Sequence, residues 1–137
     1  MRRGEIIQVA GSVVDVRFPC GSLPRIREAL RVDLDGKQRV MEVAQHLSAE
    51  TVRCIMLTES EGLARGMVVT GEGSGLRVPV GKCTLGRLFN VFGDTIDGGE
   101  AIGADEPRRG IHRKPPAFDE QDPSVDILET GIKVIDL

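Results

Sequence analysis

Few residues in this chain stand at the spacings that chemistry requires. The histidines are His46 and His112, and the cysteines are Cys20, Cys54 and Cys83. A metal site needs several ligands at short, fixed spacings. No C-x-x-C pair occurs, and no second His, Asp or Cys sits at ligand spacing from His46. His46 therefore reads as a histidine at a strand end, Cys54 as a small core residue, and the three cysteines as reduced thiols. Arg108, Arg109, His112, Arg113 and Lys114 form a basic cluster ahead of Pro115-Pro116. A phosphate site would want a helix N-terminus or a glycine nest beside those charges. Neither accompanies them, and the cluster reads as a solvated loop. Asp119, Glu120, Asp122 and Asp126 lack the D-x-D-x-D-G spacing of a calcium loop and read as a solvated turn. The phosphate-cradling pattern G-x-x-x-x-G-K-[ST] is absent from the chain. The residues thus offer no catalytic group, no cofactor-binding group and no metal ligand.

Composition narrows the class. Of 137 residues, 40% are hydrophobic and 28% charged, the balance of a globular protein. No apolar run approaches the ~20 residues of a membrane-spanning helix, and Met1-Arg2-Arg3-Gly4-Glu5 lacks a signal peptide's apolar stretch. The expected setting is the cytosol or the cytosolic face of a membrane. Residues 1–75 hold ten basic and ten acidic side chains, and residues 76–137 hold eight and eleven. Neither part has the basic excess of a nucleic-acid binder. Four phenylalanines, with no Trp or Tyr, leave stacking platforms scarce.

The elements that must position any function are strands. Residues 5–18 read as two strands around Gly11-Ser12: Ile7 and Val9 alternate with Gln8, then Val14, Val16 and Phe18 alternate with Asp15 and Arg17. Period two with one apolar face marks a half-buried strand, and Asp15 falls on the polar face. Leu30, Val32 and Leu34 repeat the pattern, Asp35-Gly36 signals a hairpin, and residues 37–47 return with Met41 and Val43 inward. In residues 51–58, Val52, Cys54 and Met56 share one face, while Ile55 and Leu57 on the other suggest two-sided burial or partner contact. Residues 67–70 form a last short strand before Gly71-Glu72-Gly73-Ser74-Gly75. Short strands at this spacing argue for a small closed β-barrel over residues 1–75. Residues 76–137 read as the start of a second domain. Its glycine-punctuated stretch, residues 78–99, reads as strands 76–80 and 85–92, the latter covered on both faces. A loop follows, and residues 132–137 look like a helix beginning where the chain ends, which suggests truncation.

Blocks of the sequence are similar to the beta subunit of rotary ATP synthases. Residues 4–18 resemble its opening strands. Glu42-Val43-Ala44-Gln45-His46-Leu47, Glu61-Gly62-Leu63-Ala64-Arg65-Gly66, Val78-Pro79-Val80-Gly81, Thr84-Leu85-Gly86-Arg87 and Glu129-Thr130-Gly131-Ile132-Lys133-Val134-Ile135-Asp136-Leu137 follow in the same order. The resemblance implies a mainly β fold: a closed six-stranded antiparallel barrel, then the truncated start of an α/β P-loop nucleotide domain. It implies barrels forming a crown on a ring of three alpha and three beta subunits around a central stalk. It further implies ATP made or hydrolysed at beta–alpha interfaces and coupled to ion translocation, with ATP or ADP and Mg as cofactors of the parent protein.

The P-loop is expected beyond Leu137, so no catalytic or nucleotide-binding residue is carried over, and the 137-residue chain is expected to be inactive and monomeric alone. Gly81, Gly86 and Gly93 match structural glycines of that family. The short leader suggests a bacterial protein, peripheral on the cytoplasmic face of the inner membrane and not inserted in it. Two alternatives stand beside this reading. One is a nucleic-acid-binding barrel of a related ring ATPase. The other is the non-catalytic alpha-type paralogue.

Overall fold

The computed structural model of the chain describes residues 2–121 and 127–137. Six strands, β1 (Arg2–Ala10), β2 (Val13–Arg17), β3 (Ala29–Leu34), β4 (Lys37–His46), β5 (Thr51–Met56) and β6 (Val68–Gly71), close into an antiparallel barrel. Their order around the barrel is β1-β2-β5-β4-β3-β6. Three neighbouring pairs are local in sequence (β1–β2, β3–β4 and β4–β5), while β2–β5, β1–β6 and β3–β6 close the cylinder over longer separations.

Alternation fills the interior. Val14 and Val16 of β2, Leu30 and Val32 of β3, Met41 and Val43 of β4, Val52 and Cys54 of β5, and Val69 of β6 form one buried cluster with Phe18. These are the inward positions that period two assigns. At the β3–β4 turn Asp35 and Gly36 take φ of 53° and 75°. Positive φ at both central residues is the geometry that matches the twist of a two-residue hairpin.

The first strand departs from simple alternation. Ile6 pairs with Val16, but Gln8 pairs with Asp15, so Ile7 is the extra residue of a bulge. Ile6 is fully buried, and Ile7 is only partly so. The inward phase then resumes at Val9, which packs against the core. Reading Ile7 and Val9 as one face is therefore corrected at Ile7.

One end of the barrel is tied by Glu28, whose carboxylate is almost fully buried. It accepts bonds from Arg2 Nη1 at 2.8–2.9 Å, from the Arg25 N–H at 3.1 Å and from the Gly73 N–H at 3.0 Å. A buried carboxylate is costly unless its lone pairs are met. Here four donor contacts join the first strand, the loop before β3 and the chain leaving β6.

Beyond the barrel, β7 (Arg77–Pro79) pairs with β8 (Arg108–Gly110). This ribbon is joined to the barrel by Leu76, which is buried, by the Ala29 N–H donating to the Ser74 carbonyl at 3.0 Å, and by His112. The expected strand over residues 85–92 is not formed. A single bridge, Phe89 to Thr95, replaces it, and Leu85, Leu88 and Val91 are exposed. Side chains take the backbone donors instead. Asn90 Oδ1 accepts from Phe92 N and Asp94 N, while Asp97 accepts from Leu88 N and Gly99 N. Such local bonds compete directly with a ladder. The helix start expected at residues 132–137 is present as α1 (Lys133–Asp136).

Two substitutions test the barrel. Val14 is fully enclosed; Val14→Asp buries an unpaired carboxylate costing several kcal/mol, against a domain stability of about 5–10 kcal/mol. It is expected to abolish the cooperative thermal transition followed by circular dichroism. At Gly4 an added Cβ would lie 2.8 Å from both the Arg17 carbonyl and the Phe18 ring. Gly4→Ala is expected to lower stability by about 1–3 kcal/mol. A denaturant midpoint unchanged by either variant would refute this packing.

Candidate functional site

The strongest candidate for function is the outer wall of the barrel. Because side chains alternate across each strand, neighbours in register form rows around the cylinder. One outward row runs Ala10, Val13, Ile55, Glu42 and Ala29 across β1, β2, β5, β4 and β3. It is apolar through its first three members. Ile55 is 47% exposed, and Leu57, just past the end of β5, is 36% exposed. On the opposite side of β1, Val68 is 58% exposed beside Glu5. Ile55 and Leu57 thus face outward, uncovered by this chain, where sequence reading suggested two-sided burial or partner contact.

The next row along the wall is polar: Gln8, Asp15, Arg53 and Gln45. Arg53 Nε and Nη2 each donate to Asp15 at 2.8 Å, a bidentate pair. Asp15 is only 5% exposed although it is on the outer face. The guanidinium holds its carboxyl below the ordinary aspartate range, and the pair raises Arg53 in turn. Asp15 lies on the polar face as its alternation predicts, and its partner comes from β5, far along the sequence. This ion pair pins the β2–β5 seam beneath the apolar row.

The residues that drew attention in the sequence are dispersed. His46 Nε2 lies 2.8 Å from the Pro24 carbonyl at the end of β4. Cys54 sits in the core, where burial and then the charge of Asp15 push its thiol up to about 12. Cys20 is exposed and Cys83 lies in the segment beyond β7. In the basic cluster, Arg108 and Arg109 belong to β8, and His112 Nε2 meets Glu42 Oε2 at 2.8 Å. Arg113 and Lys114 follow in exposed loop. Of the acidic run, Asp119 and Glu120 lie in or beside a short 3-10 turn, while Asp122 and Asp126 fall outside the described residues. Among the described residues no three His, Cys, Asp or Glu side chains are placed to hold a metal ion, and no helix is long and apolar enough to cross a membrane.

Sequence reasoning missed the ion pairs, among them Arg2–Glu28, Asp15–Arg53 and Arg87–Asp97. Asp15–Arg53 spans 38 positions and leaves no local signal. Arg87–Asp97, at 2.6 Å, ties the loop after β7 and holds Asp97 well below its usual range, helped by the Gly99 and Leu88 N–H groups. Asp97 was legible as part of a loop, and its arginine partner was not.

Asp15 gives a pH prediction. Its carboxyl is depressed in the folded state, so the pair's contribution is complete above the unfolded value of about 3.9. It is lost as pH falls through the lower folded value. Asp15→Asn should cost about 1 kcal/mol at pH 7, discounted because Arg53 is partly exposed. The gap from the parent should shrink below about pH 4. A gap that stayed constant to pH 2 would refute the pair's role.

Residues 6–73 match the model of the ATP synthase alpha/beta family, beta-barrel domain. That span opens just before the bulge in β1 and ends at Gly73, whose N–H meets Glu28. The described six-stranded closed antiparallel architecture agrees with it. The barrel of this chain is thus similar, over residues 6–73, to the beta-barrel domain of the ATP synthase alpha/beta family.

Proposed function

We propose that the barrel is a ring-forming module of a catalytic, beta-type subunit, and that its outer wall packs side by side against the barrels of alpha-type neighbours. The observation that carries this reading is closure combined with an apolar outer row. A closed barrel offers no unpaired strand edge, so a partner cannot join by adding a strand. Contact must be made by side chains on the wall, and Val13, Ile55 and Leu57 offer apolar surface there. The blocks at residues 42–47 and 84–87 favour the beta type over the alpha type.

In this reading the parent protein alternates three such subunits with three alpha subunits around a central stalk. It makes or hydrolyses ATP with Mg at their interfaces, coupled to ion movement, from the cytoplasmic face of a bacterial membrane. Residues 1–137 contain no phosphate-cradling motif, and their contribution is assembly.

A nucleic-acid-binding barrel fits less well. Phe18, the one aromatic residue within 1–75, is 1% exposed and lies in the core. Among the described residues of the barrel, no Phe, Tyr or Trp ring is left outside for a base to stack on.

The chain alone is expected to sediment as a monomer at micromolar concentration. The contacts one small barrel can offer fall below the ~800 Å² per partner that usually holds a specific complex. Ile55→Arg should leave the melting temperature of the chain unchanged, since Ile55 faces solvent. In a complete subunit co-expressed with its alpha partner, the same change should deplete six-membered particles measured by native mass spectrometry. Full recovery of intact, active rings would overturn the assignment of this wall as the interface.

A further inference from the structure

A second concavity is set where the barrel meets β7 and β8. It encloses about 450 Å³ and is bordered by Ile26, Arg27, Leu76, Arg77 and His112, with the backbone of Ser74, Gly75 and Gly110. Its basic side chains, Arg27, Arg77 and His112, come from three separate segments: the loop before β3, strand β7 and the chain after β8. No Asp or Glu is among its lining residues. Two acidic side chains adjoin its lining residues, Glu28 in sequence and Glu42 through His112, and both are hydrogen-bonded. Glu28 is buried against Arg2, Arg25 N–H and Gly73 N–H, and Glu42 holds His112. In a chain with a net charge of -3, a concavity lined by Arg27 and Arg77 is a local positive patch that attracts anions.

The backbone supplies an independent observation. Arg27 has φ of 68°, in the left-handed region that a bulky side chain adopts only at a cost. Surrounding structure enforces it: the Arg27 N–H donates to the Val43 carbonyl at 2.8 Å. The Arg27 carbonyl also lies where a Cβ at Gly75 would meet it, at 2.8 Å. Glycine would be at ease at position 27. An arginine held there in an unfavourable conformation, at the rim of a concavity facing Arg77, marks a position where side-chain chemistry matters more than backbone comfort. Arg77 Nη2 donates to the Arg108 carbonyl at 2.9 Å, and its other donors have no partner among the described residues.

We propose that this concavity binds a phosphate-type oxyanion, with Arg27 and Arg77 as its principal donors and His112 at its border. Guanidinium forks match the oxygen spacing of phosphate and bind it in bidentate fashion. The volume lies within the range of small-ligand sites. The site adjoins the outer row at Glu42, which holds His112, but none of that row's residues lines it, and the proposal stands whether or not that row is a subunit interface.

The test is titration of the intact chain with inorganic phosphate and with pyrophosphate, at constant ionic strength, read by calorimetry and by amide chemical shifts. Saturable binding below about 10 mM is expected, with the largest shifts at residues 26–27, 75–77 and 110–112. Arg27→Gly, which keeps the backbone geometry, should fold with an equal or higher melting temperature and bind at least tenfold more weakly. Arg77→Gln should weaken binding by a similar factor, and Lys82→Gln, outside the concavity, should not. Absence of saturable binding in the parent chain would overturn the proposal. So would equal affinity in the Arg27→Gly and Arg77→Gln variants, or shifts centred on Arg109, Arg113 and Lys114.

Discussion

The barrel depends on its shortest strand. β6 has four residues and is the only strand that joins β1 to β3. Val69 points inward from it and is fully buried, while Gly71 lies against both Leu30 and the Glu28 carboxylate. Without β6 the other five strands form an open sheet whose two edges carry free N–H and C=O groups. With it, every strand has two neighbours, and the chain leaves the barrel at the point where Glu28 gathers Arg2, Arg25 and Gly73. The order of the sheet, the position of Leu76 on the barrel and the concavity beside it all follow from that exit.

Closure also determines what kind of function the wall can carry. A barrel with no edge can present only rows of side chains to a neighbour. Here two adjacent rows differ in kind: one carries Val13 and Ile55, the other the Asp15–Arg53 pair. The ion pair consumes its own charges and links β2 to β5 beside the apolar row by a rigid bidentate contact. Rigidity lowers the entropy lost when a surface is covered.

Much of the barrel was legible because period-two alternation is a direct consequence of strand geometry. Val14, Val16, Leu30, Val32, Met41, Val43, Val52 and Cys54 all point inward as the pattern requires. The hairpin at Asp35-Gly36 was legible because few dipeptides accept positive φ at both positions. What the pattern could not carry was anything set by a distant partner. Asp15 looks like any exposed aspartate until Arg53 arrives from β5. The bulge at Ile7 is invisible because Ile6, Ile7 and Val9 are all apolar, so either phase fits. Residues 85–92 misled for another reason: hydrophobicity promised a covered strand, but Asn90 and Asp97 satisfy the backbone locally. No catalytic pattern was legible, and the candidate wall emerged only once register placed Val13 beside Ile55. The concavity at Arg27 lay outside sequence reasoning altogether, since it depends on a backbone angle and on three segments meeting.

The pairing of Arg2 with Gly71 has a consequence for biosynthesis. Of the six barrel strands β1 leaves the ribosome first and pairs on one side with β2 at once, but its other side must wait for β6 to emerge. The hairpin of β3 and β4 and the addition of β5 involve near neighbours in sequence, whereas both seams of β6 tie distant parts of the chain. Contacts of long sequence separation slow folding, because loop entropy is lost before they form. Throughout that interval the nascent chain carries open edges, and polysomes bring many identical nascent chains close together. The four residues of β6 therefore also set how long each new chain must be kept from its neighbours during synthesis, a period in which chaperones that shield extended segments would act.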